Sequence, residues 1–200
     1  MIAIIDYDAG NIRSVENALN SLGIENVVTS DPAVIRAADR VILPGVGAFG
    51  DAMKKLEDRG LTEVIREAAA EKPFLGICLG LQLLFDSSEE APGVKGLSVL
   101  PGEIVRIPEG GGRKIPHIGW NDLSFPKESE LFRGVAEGSY VYFVHSYYLR
   151  AEHPEDVAAT TEYGVTIHAA VSHGKVFACQ FHPEKSGDVG MQILRNFAAV

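Results

Sequence analysis

The chain has 200 residues, 46% of them hydrophobic and 22% charged, with 18 Lys and Arg against 27 Asp and Glu and a formal net charge of -9. This length and apolar content suit a single globular domain spanning residues 1–200, and the acidic balance argues against a nucleic-acid-binding surface, which needs clustered Lys and Arg. The longest apolar runs fall well short of a membrane span, and Met1-Ile2-Ala3-Ile4-Ile5-Asp6 has neither a basic leader nor a small-residue cleavage site, so a cytoplasmic protein with two reduced cysteines is expected.

In chain order, apolar Ile2 to Ile5 predicts a buried parallel strand. Asn11 to Leu22 follows as a helix, with Ile12, Val15, Ala18, Leu19 and Leu22 at helical spacing before Gly23. Asn26 to Thr29, Ser30 to Ala37 and Arg40 to Leu43 continue as strand, helix, strand, with Ser30 or Asp31 as cap and Pro32 at the first helical position. Pro44-Gly45-Val46-Gly47 is expected to break the strand. Two helical pieces, Phe49 to Arg59 and Leu61 to Glu71, are separated by Gly60. A buried strand from Pro73 to Ile77 then ends at Cys78, a helix runs from Leu79 to Phe85, and Ser87 to Gly93 is a surface loop. Beyond residue 97 the expected strands are Glu103 to Ile107, Tyr140 to His145, Thr166 to Val171 and Lys175 to Phe181, with a final helix from Asp188 to Ala198 buried through Met191, Ile193, Leu194 and Phe197. The fold class is therefore α/β in three layers: a mostly parallel central sheet, helices on both faces, and an antiparallel extension in the C-terminal half.

Chemistry concentrates at Phe74-Leu75-Gly76-Ile77-Cys78-Leu79-Gly80 and Phe181-His182-Pro183-Glu184. A cysteine between small residues, where a strand turns into a helix, has its sulfur pushed out at the top of the sheet, near backbone donors and a helix dipole that favours thiolate. A lone cysteine is more often a small buried hydrophobe; the flanking glycines reverse that reading for Cys78, and their absence leaves Cys179 structural. His182 and Glu184, two apart in an extended stretch, are expected to project from one face, so the carboxylate can fix the imidazole tautomer and leave the other nitrogen to exchange a proton.

Gly45-Val46-Gly47-Ala48-Phe49-Gly50 matches a dinucleotide fingerprint, but it does not follow the first strand, and the next strand ends in Cys78 rather than in an acidic residue. Oxyanion donation by its backbone is the better use. The six histidines and two cysteines have no metal-ligand spacing, so neither metal nor cofactor is implied. Tyr140 to Tyr148 is an aromatic strand whose polar end can border a pocket.

Taken in order, Pro44-Gly45-Val46-Gly47-Ala48-Phe49, Gly76-Ile77-Cys78-Leu79-Gly80-Leu81-Gln82, Gly119-Trp120-Asn121, Tyr142-Phe143-Val144-His145-Ser146-Tyr147 and Gln180-Phe181-His182-Pro183-Glu184-Lys185-Ser186-Gly187 resemble the class I glutamine amidotransferases over nearly the whole chain. Within that family the set is most similar to the glutaminase subunits of imidazole glycerol phosphate synthases, in histidine biosynthesis. One departure is Leu81, where methionine is more usual; the two are of similar volume.

The resemblance implies hydrolysis of glutamine to glutamate and ammonia by Cys78, His182 and Glu184 through a glutamyl thioester. It further implies an oxyanion hole from the N–H of Leu79 and a donor around Val46 and Gly47, and substrate contacts from Gln82, Glu90, His145, Ser146 and Tyr147. The implied partner is a (β/α)8-barrel cyclase in a heterodimer, and no cofactor is called for. Two rivals stay open at this point: an amidotransferase subunit feeding another synthase, and a non-catalytic regulatory protein on the same fold.

Overall fold

Short apolar runs alternating with amphipathic helices build the first half of the chain. In this computed structural model, residues 1–8 and 10–200 are described. The elements are β1 (Ile2–Ile5), α1 (Ile12–Ser21), β2 (Asn26–Thr29), α2 (Pro32–Ala37), β3 (Arg40–Gly45), α3 (Phe49–Asp58), α4 (Thr62–Glu71), β4 (Phe74–Cys78) and α5 (Leu79–Leu83). Then come β5 (Ser87–Ser88), β6 (Gly102–Arg106), β7 (His117–Asp122), β8 (Tyr140–His145), β9 (Tyr147–Ala151), β10 (Val157–Glu162), β11 (Thr166–His173), β12 (Val176–Cys179) and α6 (Gly187–Ala199).

The main sheet has the order β2-β1-β3-β4-β12-β11-β9-β6-β5, with β10 also paired to β11. The pairs from β2 through β12 are parallel; β12 with β11, β11 with β9 and β10, and β9 with β6 are antiparallel. The expected parallel sheet with an antiparallel extension is thus present.

Side-chain alternation along β1 divides the apolar interior between the two faces of the sheet. Ala3 and Ile5 join a core with Ile35 of α2, Phe49 and Leu56 of α3, and Val64 and Ile65 of α4. Ile2 and Ile4 join a second core with Val15 and Leu19 of α1 and Ile193, Leu194 and Phe197 of α6. Met191, expected among the buried positions of the last helix, is only partly buried at the margin of this second core. At α2 the Asp31 side chain accepts from the Ala33 N–H and Pro32 occupies the first turn, where its missing N–H costs no helical bond.

Four expectations need correction. The Pro44-Gly45 pair does not break β3: the strand continues to Gly45, opposite Cys78. Pro44 is tolerated because the register with β1 has ended at Ile42, so the strand has a neighbour on one side only. Ser87 and Ser88, expected in a surface loop, form β5 beside β6, with Ser88 buried. Strands β7, β9 and β10 were not expected, and β7 pairs with β8 in a separate two-stranded sheet. Finally, Pro183–Lys185 is a 3-10 turn rather than a continuation of an extended segment, since Pro183 presets its first position. Among the described residues no helix is long and apolar enough to cross a membrane.

Candidate active site

β4 is buried at every position and carries Cys78 at its C-terminal end, between β3 and β12. Cys78 has φ 54° and ψ -109°, a conformation that side-chain-bearing residues avoid, and α5 begins at the next residue. The sharp strand-to-helix turn presses α5 onto β3: a Cβ on Gly80 would lie 1.8 Å from the Leu43 carbonyl oxygen, and one on Gly76 would lie 2.8 Å from that of Gly80. These are backbone collisions that no rotamer relieves, which explains the small residues on both sides of the cysteine.

β12 runs parallel to β4, with Cys179 opposite Ile77, so the segment after it arrives beside the cysteine. The 3-10 turn folds Glu184 back onto His182, with Nδ1 and Oε1 2.8 Å apart. A carboxylate oxygen can only accept, so Nδ1 carries a proton in either charge state of the ring, and Nε2 is the nitrogen at which a proton is gained or lost. Nε2 is buried with no hydrogen-bond partner. The Asn11 amide, 173 positions away in the chain, donates to the same Glu184 oxygen at 2.6 Å. Backbone and hydroxyl bonds hold the histidine: its N–H donates to the Tyr142 carbonyl at 2.9 Å, and Ser186 Oγ donates to its carbonyl at 2.6 Å.

Burial is the largest influence on the His182 ring and opposes its charge. The Cys78 sulfur and the Glu184 carboxylate together outweigh it, raising the pKa to about 9.

Cys78, His182, Leu79, Val46, Gly47, Gln82, Glu90, His145, Ser146 and Tyr147 all line one cleft of about 320 Å³. Glu184 is the one expected site residue outside that lining, fully buried and bonded to the ring at Nδ1. A larger depression of about 790 Å³ along Phe125 to Val135 holds neither thiol nor imidazole. Gly47 has φ +107°, and a Cβ on Gly45 would meet the Tyr7 hydroxyl at 2.5 Å, so these two glycines serve a turn and a close approach. That hydroxyl donates to the Pro44 carbonyl at 3.0 Å and pins the end of β3.

Two polar residues of the cleft are more constrained than sequence suggests. Gln82 donates to the Tyr147 carbonyl at 3.1 Å and to Gln180 Oε1 at 3.0 Å, which leaves only its own carbonyl oxygen for a ligand. Glu90 accepts from the Phe49 N–H at 2.8 Å and so ties the cleft to the first turn of α3. His145 is neutral: burial, only partly offset by its bond to the Tyr147 carbonyl, lowers its pKa to about 3.

Sequence reasoning assigned no role to Asn11, Gln180, Pro116 or Val144, the last two of which complete the cleft wall. Nothing in the local pattern marks Asn11, whose position depends on tertiary placement. Gln180 did carry a signal, being adjacent to Phe181-His182-Pro183-Glu184. Cys179 is fully buried with its thiol on the Phe181 carbonyl at 3.5 Å, and burial raises its pKa well above the ordinary thiol value.

Similarity to known proteins extends over nearly the whole chain. The family model "Glutamine amidotransferase class-I" matches residues 3–200. The "Imidazole glycerol phosphate synthase subunit HisH" of Methanothermobacter thermautotrophicus is 54% identical over 202 residues, covering 100% of this chain and 98% of that protein. The protein of the same name from Moorella thermoacetica is 53% identical over 197 residues, covering 98% and 93%. Among solved structures, one described as a glutamine amidotransferase superposes with a TM-score of 0.76 at 23% identity, covering 100% of both chains. Another, of PurLQS from Thermotoga maritima, gives 0.73 at 21% identity, covering 98% and 96%. At these identities the structural likeness concerns the fold.

Proposed function

The chain belongs to the class I glutamine amidotransferase family, and from that premise we infer that it is the glutamine amidotransferase subunit of imidazole glycerol phosphate synthase, acting in histidine biosynthesis. The observation that carries the chemistry is the arrangement at His182: Nδ1 is committed to Glu184, while Nε2 stands bare beside Cys78 in a cleft of small-ligand size.

In this reading Cys78 attacks the side-chain amide carbon of glutamine, and His182 takes the thiol proton at Nε2. The same nitrogen then protonates the departing ammonia, leaving a glutamyl thioester. His182 next activates a water that cleaves the thioester to glutamate, and Glu184, steadied by Asn11, holds the ring through both steps. The N–H of Leu79 and one from Val46 or Gly47 receive the oxyanion, a donor of this kind being worth about 3 kcal/mol of barrier. Gln82, Glu90, His145, Ser146 and Tyr147 surround the amino-acid end of the substrate.

The partner is a (β/α)8-barrel cyclase in a heterodimer, which joins the ammonia to a ribulose-containing nucleotide and releases imidazole glycerol phosphate and aminoimidazole carboxamide ribotide. Gly47, at φ +107°, gives the oxyanion loop a peptide free to reorient, so glutaminase activity of the isolated chain is low and rises when the cyclase and its ligand bind. The test is glutamate release by the chain alone, with the cyclase, and with the cyclase and its ligand. Stepwise activation is expected, together with loss of about 1000-fold or more in Cys78→Ala. Glutamate release that is unchanged in Cys78→Ala would refute the reading.

A further inference from the structure

We propose that Gln180 is a further catalytic residue: its side-chain amide donates a hydrogen bond to the Cys78 sulfur, holding the nucleophile in place and stabilising its anion. This rests on Cys78 being the nucleophile. Gln180 is 0% exposed and follows β12 directly, and its Nε2 lies 3.7 Å from Sγ across the β12–β4 pair.

A glutamine placed beside sulfur can present either its oxygen or its nitrogen, and the two have opposite effects on a thiolate. Here the polarity is dictated from the far end of a short relay. The Tyr147 backbone carbonyl can only accept, so Gln82 must turn its NH2 group toward it, at 3.1 Å. The same NH2 group lies 3.0 Å from the Gln180 side chain, which must therefore offer Oε1 in return. That leaves the Gln180 NH2 group for Cys78. Reversing Gln180 would set two NH2 groups against each other in a buried site, at the cost of unsatisfied polar groups.

The relay also joins the cleft wall to the nucleophile, because Gln82 and Tyr147 line the same cleft as Cys78. A carboxamide that only filled the core would need partners of any polarity. This one has its polarity imposed from Tyr147 and is aimed at the nucleophilic sulfur, whose charge changes during the reaction. In the thiolate the N–H supplies a charge-assisted bond, and in the thioester the sulfur loses that charge. The donor therefore favours the anion before attack and the departure of sulfur afterwards.

The test uses the complex with the cyclase. Gln180→Met keeps the length and removes the donor; Gln180→Glu keeps the acceptor for Gln82 and faces the sulfur with an oxygen. The readouts are kcat and KM for glutamine and the pH profile of Cys78 alkylation by iodoacetamide. Both variants are expected to lose about tenfold or more in kcat with KM within about threefold, and to need roughly one pH unit more for half-maximal alkylation, the glutamate more than the methionine. Folded variants with a wild-type alkylation profile and kcat would overturn the proposal.

Should neither variant fold, the wild-type protein carries the test: the Gln180 side-chain amide resonances are expected to move with the titration of Cys78 and to stay still in Cys78→Ala. Amide resonances indifferent to both would overturn it equally. The failure of the underlying reading is separate, since it would appear as glutaminase activity surviving in Cys78→Ala whatever Gln180 does.

Discussion

At Asn11 a single amide supports a carboxylate that in turn supports a ring. Its Nδ2 reaches Glu184 Oε1 at 2.6 Å, on the oxygen that already accepts from His182. Asn11→Ala removes a charge-assisted bond, so kcat of the complex is expected to fall about tenfold or more with little change in KM, the ring being less well oriented. Steady-state glutamate release checks this, and an unchanged kcat would limit Asn11 to a structural part. Single residues also mark the limit of sequence reasoning. Cys78, with glycines two positions before and after, announces a strand-to-helix elbow because the steric requirement is local. Asn11 and the polarity of Gln180 are properties of partners far along the chain, and nothing in a linear pattern encodes them. The His182–Glu184 pairing was expected on the premise of an extended segment; a 3-10 turn brings the two together instead.

Among the elements, the alternation from β1 to β4 was legible because buried parallel strands are continuous apolar runs and the helices between them carry caps and periodicity. The antiparallel part was less so. β10 reads Val-Ala-Ala-Thr-Thr-Glu, with small side chains, and β8 and β9 are separated by Ser146 alone, so an aromatic run conceals two strands. The β7–β8 pair carries a pH dependence. His145 Nδ1 faces the Tyr147 carbonyl and so bears the proton, its Nε2 accepts from His117 Nδ1 at 3.0 Å, and only one proton fits between the two rings. Burial lowers His117 to about 4, and burial with the neighbouring rings brings His145 to about 3.

Both folded values lie below the unfolded value near 6.5. The stabilisation from keeping these rings neutral is therefore complete above about pH 6.5 and is lost as pH falls toward those folded values, by up to about 1.4 kcal/mol per pH unit for each ring. Urea unfolding between pH 7 and 4.5 is expected to show this slope. His117→Phe, which keeps the stack between Phe143 and Tyr163, is expected to flatten it. Equal slopes in the two proteins would remove the histidine pair as the cause.

Across the whole molecule, the parallel half of the sheet is completed by its last strand in sequence. β12 sits between β4 and β11, so removal of residues 174–200 exposes the edge of β4, all of whose residues are buried in the intact chain, and strips α6 from the second core. The truncated chain is expected to aggregate and to release no glutamate, as sedimentation and an activity assay would show; a soluble monomer with native circular dichroism would contradict this. The same topology orders events during synthesis. The thiol leaves the ribosome roughly a hundred residues ahead of the imidazole proposed to activate it, so on that proposal an unfinished polypeptide still lacking His182 hydrolyses no glutamine.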